Sequence, residues 1–220
     1  MVAAFSISGA FRFGWASFKR NAGPALALGA ATLVVMFILN GLTQAAQRHG
    51  TLSLGLTLLA QLAQIFFAFL WIRFALTVYD GRPIRARELF PDGRLFLTYG
   101  GVAILYGLLV TAGLILLIVP GIYLAVCYGL ASFVVADERN ADVIGAFRES
   151  ADATRGSRWR LFLFALTALC VNFLGAMLFG VGLLVTMPVT TLAAALVYRR
   201  LVAAPAPERY LTGPPAPLAV

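Results

Sequence analysis

Charge is what this 220-residue chain has least of. Only 12% of its residues are charged, against 61% hydrophobic, and mean hydropathy is +0.89. A soluble domain carries about 25% charged residues. Too few polar side chains remain to cover a water-facing surface, which excludes an ordinary soluble globule and leaves lipid as the solvent. There are two cysteines, Cys127 and Cys170, both inside apolar runs, and a single histidine, His49. Neither a disulfide framework nor a metal site follows from them. No Asp or Glu falls within a long apolar run, and proton- or cation-coupled transport ordinarily places one at mid-membrane. Residues Met1 to Arg20 contain Arg12, Lys19 and Arg20 without a clean apolar core before a cleavage site, so no secretory signal peptide is expected.

Long apolar runs are what the chain has instead. A spanning helix needs about 20 mostly apolar residues. Six runs qualify, at about Pro24–Leu42, Leu52–Tyr79, Leu97–Val119, Gly121–Ala136, Trp159–Phe179 and Gly182–Val202. The short links Val119-Pro120-Gly121 and Gly180-Val181-Gly182 read as uncharged hairpin turns, while Asp80–Phe96 and Asp137–Arg158 hold most of the charge. The net charge is +8, and basic residues in short loops mark the cytoplasmic side. They cluster before the first run, after the second, after the fourth and after the sixth, with only Arg48 opposite. Both termini are therefore expected inside a bacterial inner membrane, a source to which the arginine bias, with Lys19 the sole lysine, also points. Scattered between apolar runs, these charges form no continuous face for a phosphate backbone, which argues against nucleic acid as a partner.

The cytoplasmic segments are themselves patterned. Ile7, Phe11, Trp15 and Phe18 recur at helical spacing, as do Val143, Phe147 and Ala151 opposite Arg148, Glu149, Asp152 and Arg155. Such amphipathic stretches are expected to lie in the headgroup plane. Ile84–Phe96 fits less well because Pro91 interrupts it. The tetrapeptides Gly9-Ala10-Phe11-Arg12 and Gly145-Ala146-Phe147-Arg148 are identical, each followed at the same offset by a cation, Lys19 or Arg155. The expected fold is thus all-α and integral to the membrane. Six transmembrane helices carry amphipathic interfacial helices, arranged as three parallel units of interfacial helix plus hairpin; chance matching in low-complexity membrane sequence is the alternative. Residues 1–202 form this domain. Residues 203–220, with five prolines, read as a flexible cytoplasmic tail.

Few residues are placed for chemistry. Arg73 lies inside the second run, where an arginine snorkels to inner headgroups or holds a lipid phosphate or a neighbouring helix. Gln61, Gln64 and Asn172 are the mid-run amides that could line a polar cavity or bond between helices. Asp137 and Glu138 are adjacent acids beside Arg139, Arg148 and Arg155, the pattern of a solvated ion-pair cluster. Pro188 is expected to make a kink satisfied by Thr190 or Thr191. Phosphate-cradling glycine loops, nucleophile elbows and zinc spacings are missing, so neither an enzyme nor a cofactor is expected.

From Val119 the text reads Val-Pro-Gly-Ile-Tyr-Leu-Ala-Val, then Phe-Val-Val-Ala-Asp-Glu, Gly-Ala-Phe-Arg-Glu-Ser and Thr-Arg-Gly-Ser-Arg-Trp-Arg-Leu-Phe. This ordered set resembles a group of bacterial polytopic membrane proteins that includes the membrane domain attached to some glycerophosphodiester phosphodiesterases and uncharacterised stand-alone members. The aromatic-basic start (Phe13, Gly14, Trp15, Phe18) fits more loosely. The resemblance implies a six-helix membrane fold without a catalytic role. It also implies that Pro120, Gly121, Glu138, Arg148, Ser150, Arg155, Gly156 and Arg160 define the group; Cys127 departs from it, standing where an arginine is frequent. The expected function is to organise anionic lipid headgroups or a protein partner at the cytoplasmic face through Arg148, Arg155, Arg158 and Arg160, with Arg73 as a further contact. The alternative is a small-solute or lipid transporter using Gln61, Gln64 and Asn172.

Overall fold

The computed structural model describes residues 5–47, 50–139, 142–177 and 182–202. Arg48, His49, the Gly180-Val181 part of the expected last turn and the tail 203–220 lie outside the described residues. Among those described, every element is a helix: α1 (Ile7–Arg20), α2 (Ala22–Ala45), α3 (Gly50–Tyr79), α4 (Ala86–Leu89), α5 (Gly93–Leu116), α6 (Ile118–Tyr128), α7 (Ala131–Ala136), α8 (Val143–Thr154), α9 (Arg158–Met177) and α10 (Leu183–Leu201). Five stretches are long and apolar enough to cross a membrane: α2, α3, α5, Ile118–Ala136 and α9. The sixth expected span, α10, is not among them. Pro188, three threonines and the terminal pair Arg199-Arg200 dilute its apolar content. It can carry them because it is the enclosed helix, buried along most of Pro188–Tyr198.

The spans form three helical hairpins, α2–α3, α5–α6/α7 and α9–α10; α10 packs against α1, α2 and α3 as well as its own partner α9, and meets α7 where Tyr198 stacks on Phe133. Two of the hairpins close on glycine pairs. A Cβ on Gly113 would come within 2.8 Å of the Gly121 Cα, and one on Gly182 within 2.4 Å of the Gly175 carbonyl oxygen. The α5–α6 turn falls earlier than the sequence spacing predicts. Leu117 is the extended residue (φ −163°, ψ 144°), whereas Pro120 and Gly121 already lie in α6. Proline is tolerated in a first helical turn because the N–H it lacks would have no intrahelical acceptor there. The fourth run is also not one straight helix. It breaks between Tyr128 and Ala131, and the Cys127 carbonyl next to the break accepts hydroxyl hydrogen bonds from Ser150 (2.9 Å) and Thr154 (3.4 Å) of α8. At the expected kink, Thr190 and Thr191 donate to the Met187 carbonyl at 3.0 and 2.8 Å, and the helix continues through Pro188.

The two amphipathic helices bury small residues as well as their aromatics. In α1 the buried positions are Ala10, Gly14, Ser17 and Phe18, while Trp15 is 47% exposed. A Cβ on Gly14 would stand 2.4 Å from the Val189 carbonyl oxygen of α10, so only glycine permits this crossing. The apolar side of α1 is therefore covered largely by protein. In α8 the buried set is Ala146, Phe147, Ser150 and Thr154. The shared tetrapeptide occupies the same register in both helices: Ser6 caps the Gly9 N–H at 3.3 Å and Asp142 caps the Gly145 N–H at 2.9 Å, leaving Ala10 and Ala146 fully buried. As Pro91 predicts, the middle segment yields only the single turn α4, with Phe90 held extended ahead of the proline.

The core sits towards one end of the bundle. Phe69, Phe74, Leu76, Val134, Leu192 and Tyr198 have at most 2% exposure, whereas Phe37 in α2 and Leu58 in α3 are 82% and 58% exposed. The far halves of α2 and α3 are largely apolar on their open faces, as lipid contact requires, with Asn40, Gln44, Gln61 and Gln64 as exposed polar exceptions.

Candidate functional site

Each hairpin ends on a charge, and the three ends meet. Asp80 follows α3, Asp137 follows α7, and Arg199 lies in the last turn of α10. Arg199 donates to both aspartates at 2.7 Å, one Nη to each Oδ2. The Tyr198 hydroxyl adds a third hydrogen bond, to Asp137 at 3.0 Å. Side-chain exposures of 13% for Arg199, 25% for Asp80 and 11% for Asp137 make this a largely desolvated junction. Arg82 reaches Asp80 from outside at 2.9 Å.

Local backbone geometry fixes the two aspartates. After α3, the Gly81 N–H bonds the Val78 carbonyl and the Arg82 N–H bonds the Thr77 carbonyl; after α7, the Glu138 N–H bonds the Val135 carbonyl and the Arg139 N–H bonds the Val134 carbonyl. Both are Schellman closures, in which the residue beyond the cap adopts a left-handed conformation. Gly81 does so at φ 66° and Glu138 at φ 58°, the latter the sole non-glycine with positive φ among the described residues. Glu138 pairs with Arg73, whose Nη1 also donates to the Ala136 carbonyl at 3.1 Å. Arg73 thus reaches across to the neighbouring hairpin, the helix-pairing role that the sequence also allowed. Likewise Asp137 and Glu138 answer Arg199 and Arg73, not Arg139, Arg148 and Arg155; the expected solvated cluster is a half-buried one. Arg139 instead bonds Glu149 at 2.8 Å, which pushes its guanidinium pKa further up. A polar cleft of about 620 Å³ opens over this junction, lined by Arg73, Asp80, Arg82, Asp137, Glu138 and Arg199 together with Arg87, Glu88, Phe90 and Asp92 around α4.

The other expected contacts fall on the outside of α8 and the start of α9. Arg148 and Arg160 are exposed and have no ion pair among the described residues. Arg155 makes an exposed pair with Asp152 at 3.2 Å. Arg158 donates to the Tyr123 hydroxyl and stacks its guanidinium 4.9 Å over that ring, tying α9 to α6. The three expected cavity amides are not brought together. Gln61 and Gln64 are on exposed faces of α3, and the Asn172 Nδ2 donates to the Thr190 hydroxyl at 3.3 Å, joining α9 to α10. Neither the polar cleft nor an apolar groove between α6 and α9 includes any of them. Asp80, Tyr198 and Arg199 were not singled out as site residues from the sequence, although a readable signal existed: Asp80 and Asp137 directly follow two apolar runs, and Arg199 lies in the last turn of a third.

A family described as a protein of unknown function (DUF975) matches residues 42–205. The chain belongs to that family. The match covers α3 through α10 and the whole charged junction, and nothing in it connects the family with phosphodiesterase membrane domains. No curated protein and no solved structure matches the chain.

Proposed function

We propose that this member of the family is a non-enzymatic, six-span membrane protein that organises anionic lipid headgroups, or a protein partner, at the cytoplasmic face. In this reading α10 is the sixth span, and both termini are cytoplasmic in a bacterial inner membrane. Three tandem hairpins share the face on which their charged ends meet. One observation carries it. The inward arginines, Arg73 and Arg199, are neutralised by carboxylates, whereas the outward Arg148 and Arg160, with Arg155 in a weak exposed pair, keep charge to offer. Arg158, held on Tyr123, completes the row. Anionic lipid attracts each such residue by about 1 kcal/mol, enough in concert to enrich a headgroup.

The test replaces Arg148, Arg155, Arg158 and Arg160 by glutamine and measures phosphatidylglycerol retained through purification in mild detergent. A clear fall in retained anionic lipid is expected; retention equal to the unmodified chain sinks the proposal. The transport alternative draws no support from the placement of Gln61, Gln64 and Asn172.

A further inference from the structure

We propose that the groove between α6 and α9 is a binding site for one acyl chain of a phospholipid whose phosphate rests on Arg158. This rests on the membrane reading above and deepens it from a basic rim to a defined lipid site.

The groove has a volume of about 320 Å³. Small residues hollow it out: Ala125 on α6, Gly129 in the break that follows it, Ala165 on α9 and Ala194 on α10, over a floor that includes Phe133 and Val197. Its one hydroxyl, on Tyr106, is already engaged with the Ala125 carbonyl at 3.3 Å. Ordered water needs two to four polar partners, and this lining offers too few. An empty hollow would forfeit dispersion contacts along its walls. The fitting occupant is hydrocarbon, and the open side of the groove runs along α9, where Leu166 and Leu169 are 44% and 65% exposed. In a bilayer that side faces acyl chains.

Charge at one end says which hydrocarbon. Arg158 precedes the groove residues Leu161 and Phe162 by one turn, and its partner Tyr123 adjoins the groove residue Ile122. The Arg158–Tyr123 tie therefore bridges the two walls at that end. The Nε of Arg158 is buried and has no acceptor among the described residues, so the bond to Tyr123 does not use up the donors of its guanidinium. Arg155 and Arg160 flank it. Trp159 is 71% exposed and Tyr123 is 50% exposed, the amphipathic aromatics found at a membrane–water boundary. A cationic mouth at that boundary above an apolar channel matches a phosphate joined to an acyl chain.

The experiment reconstitutes the full chain in mixed phosphatidylethanolamine–phosphatidylglycerol vesicles containing a trace of phosphatidylglycerol with a diazirine in its acyl chain. Peptide mapping then locates the cross-links. They are expected to concentrate on α6 and α9, and Ala165→Trp, at an exposed groove position, is expected to lower them about tenfold. Leu169→Phe serves as a second filling variant should the first fail to fold. Arg158→Gln is expected to erase the preference for phosphatidylglycerol over an equally labelled phosphatidylethanolamine while leaving the chain in the groove. Cross-links spread evenly over the exposed faces of α2 and α3, or labelling unmoved by both filling variants, overturns the site while leaving the basic-rim reading intact. So does a filling variant that converts a dimer to a monomer in detergent, because the occupant would then be a second copy of the chain. Loss of anionic retention in the arginine quadruple variant with groove labelling by phosphatidylethanolamine unchanged separates the rim from the groove.

Discussion

Asp80-Gly81-Arg82 and Asp137-Glu138-Arg139 are two solutions to one problem. Each closes a membrane-length hairpin with a Schellman motif, and each presents its aspartate to Arg199. They differ at the left-handed residue. Gly81 meets the backbone demand without strain, because it has no Cβ. Glu138 meets it at a cost on the order of 1 kcal/mol, and its carboxylate then reaches Arg73. The first exit needs only a turn. The second needs a turn that also delivers a negative charge to the facing hairpin. Strain at one of two otherwise matching sites marks where a side chain matters more than backbone comfort.

Both exits depend on Arg199, so its removal is the largest expected perturbation. Arg199→Met leaves Asp137, whose side chain is 11% exposed, without its cation and leaves Asp80 with Arg82 on its outer side; stranding one partner of a buried pair costs about 3–5 kcal/mol. Thermal unfolding in detergent should show the greatest loss for this variant, and a loss no larger than that from an exposed arginine would mean the hairpins are not held together here. Arg73→Met comes next. It strands the Ala136 carbonyl, and an unsatisfied buried acceptor costs about 1–3 kcal/mol. Glu138, with a side chain 58% exposed, can be rehydrated, so Arg73→Met should stay below Arg199→Met. The reverse order would place the centre of the junction at the second exit.

Much of this was legible in the chain itself, and the part that was not has a physical reason. Apolar length alone locates five spans, since hydrocarbon tolerates no other composition there. The hairpin link at Leu117 was set two residues late because Pro120-Gly121 reads as a turn, whereas proline serves as well in a first helical turn. The aromatic spacing of α1 identified the helix but not its full contact face: Trp15 is 47% exposed while Gly14 touches α10, because close crossing rewards small residues over large ones. The site was least legible. Arg73 and Glu138 are 65 residues apart, and Arg199 sits 119 residues from Asp80. Local pattern carries no information on which distant carboxylate a buried arginine meets. Only the packing of hairpins decides it.

The smallest effects discriminate best between the two exits. Gly81→Ala should destabilise by about 1 kcal/mol, because its φ of 66° disfavours any Cβ. Glu138→Gly should relieve a comparable strain while cutting the tie to Arg73, so the two terms nearly cancel and the melting temperature moves little. Glu138→Gln keeps the strain and loses the charge, and it should fall below both Glu138→Gly and the unmodified chain. This ordering is the sharpest check on the comparison. A Glu138→Gly variant clearly more stable than the parent would show that the carboxylate contributes nothing to holding Arg73. The strain at that exit would then need a role outside folding, in whatever meets the polar cleft above it.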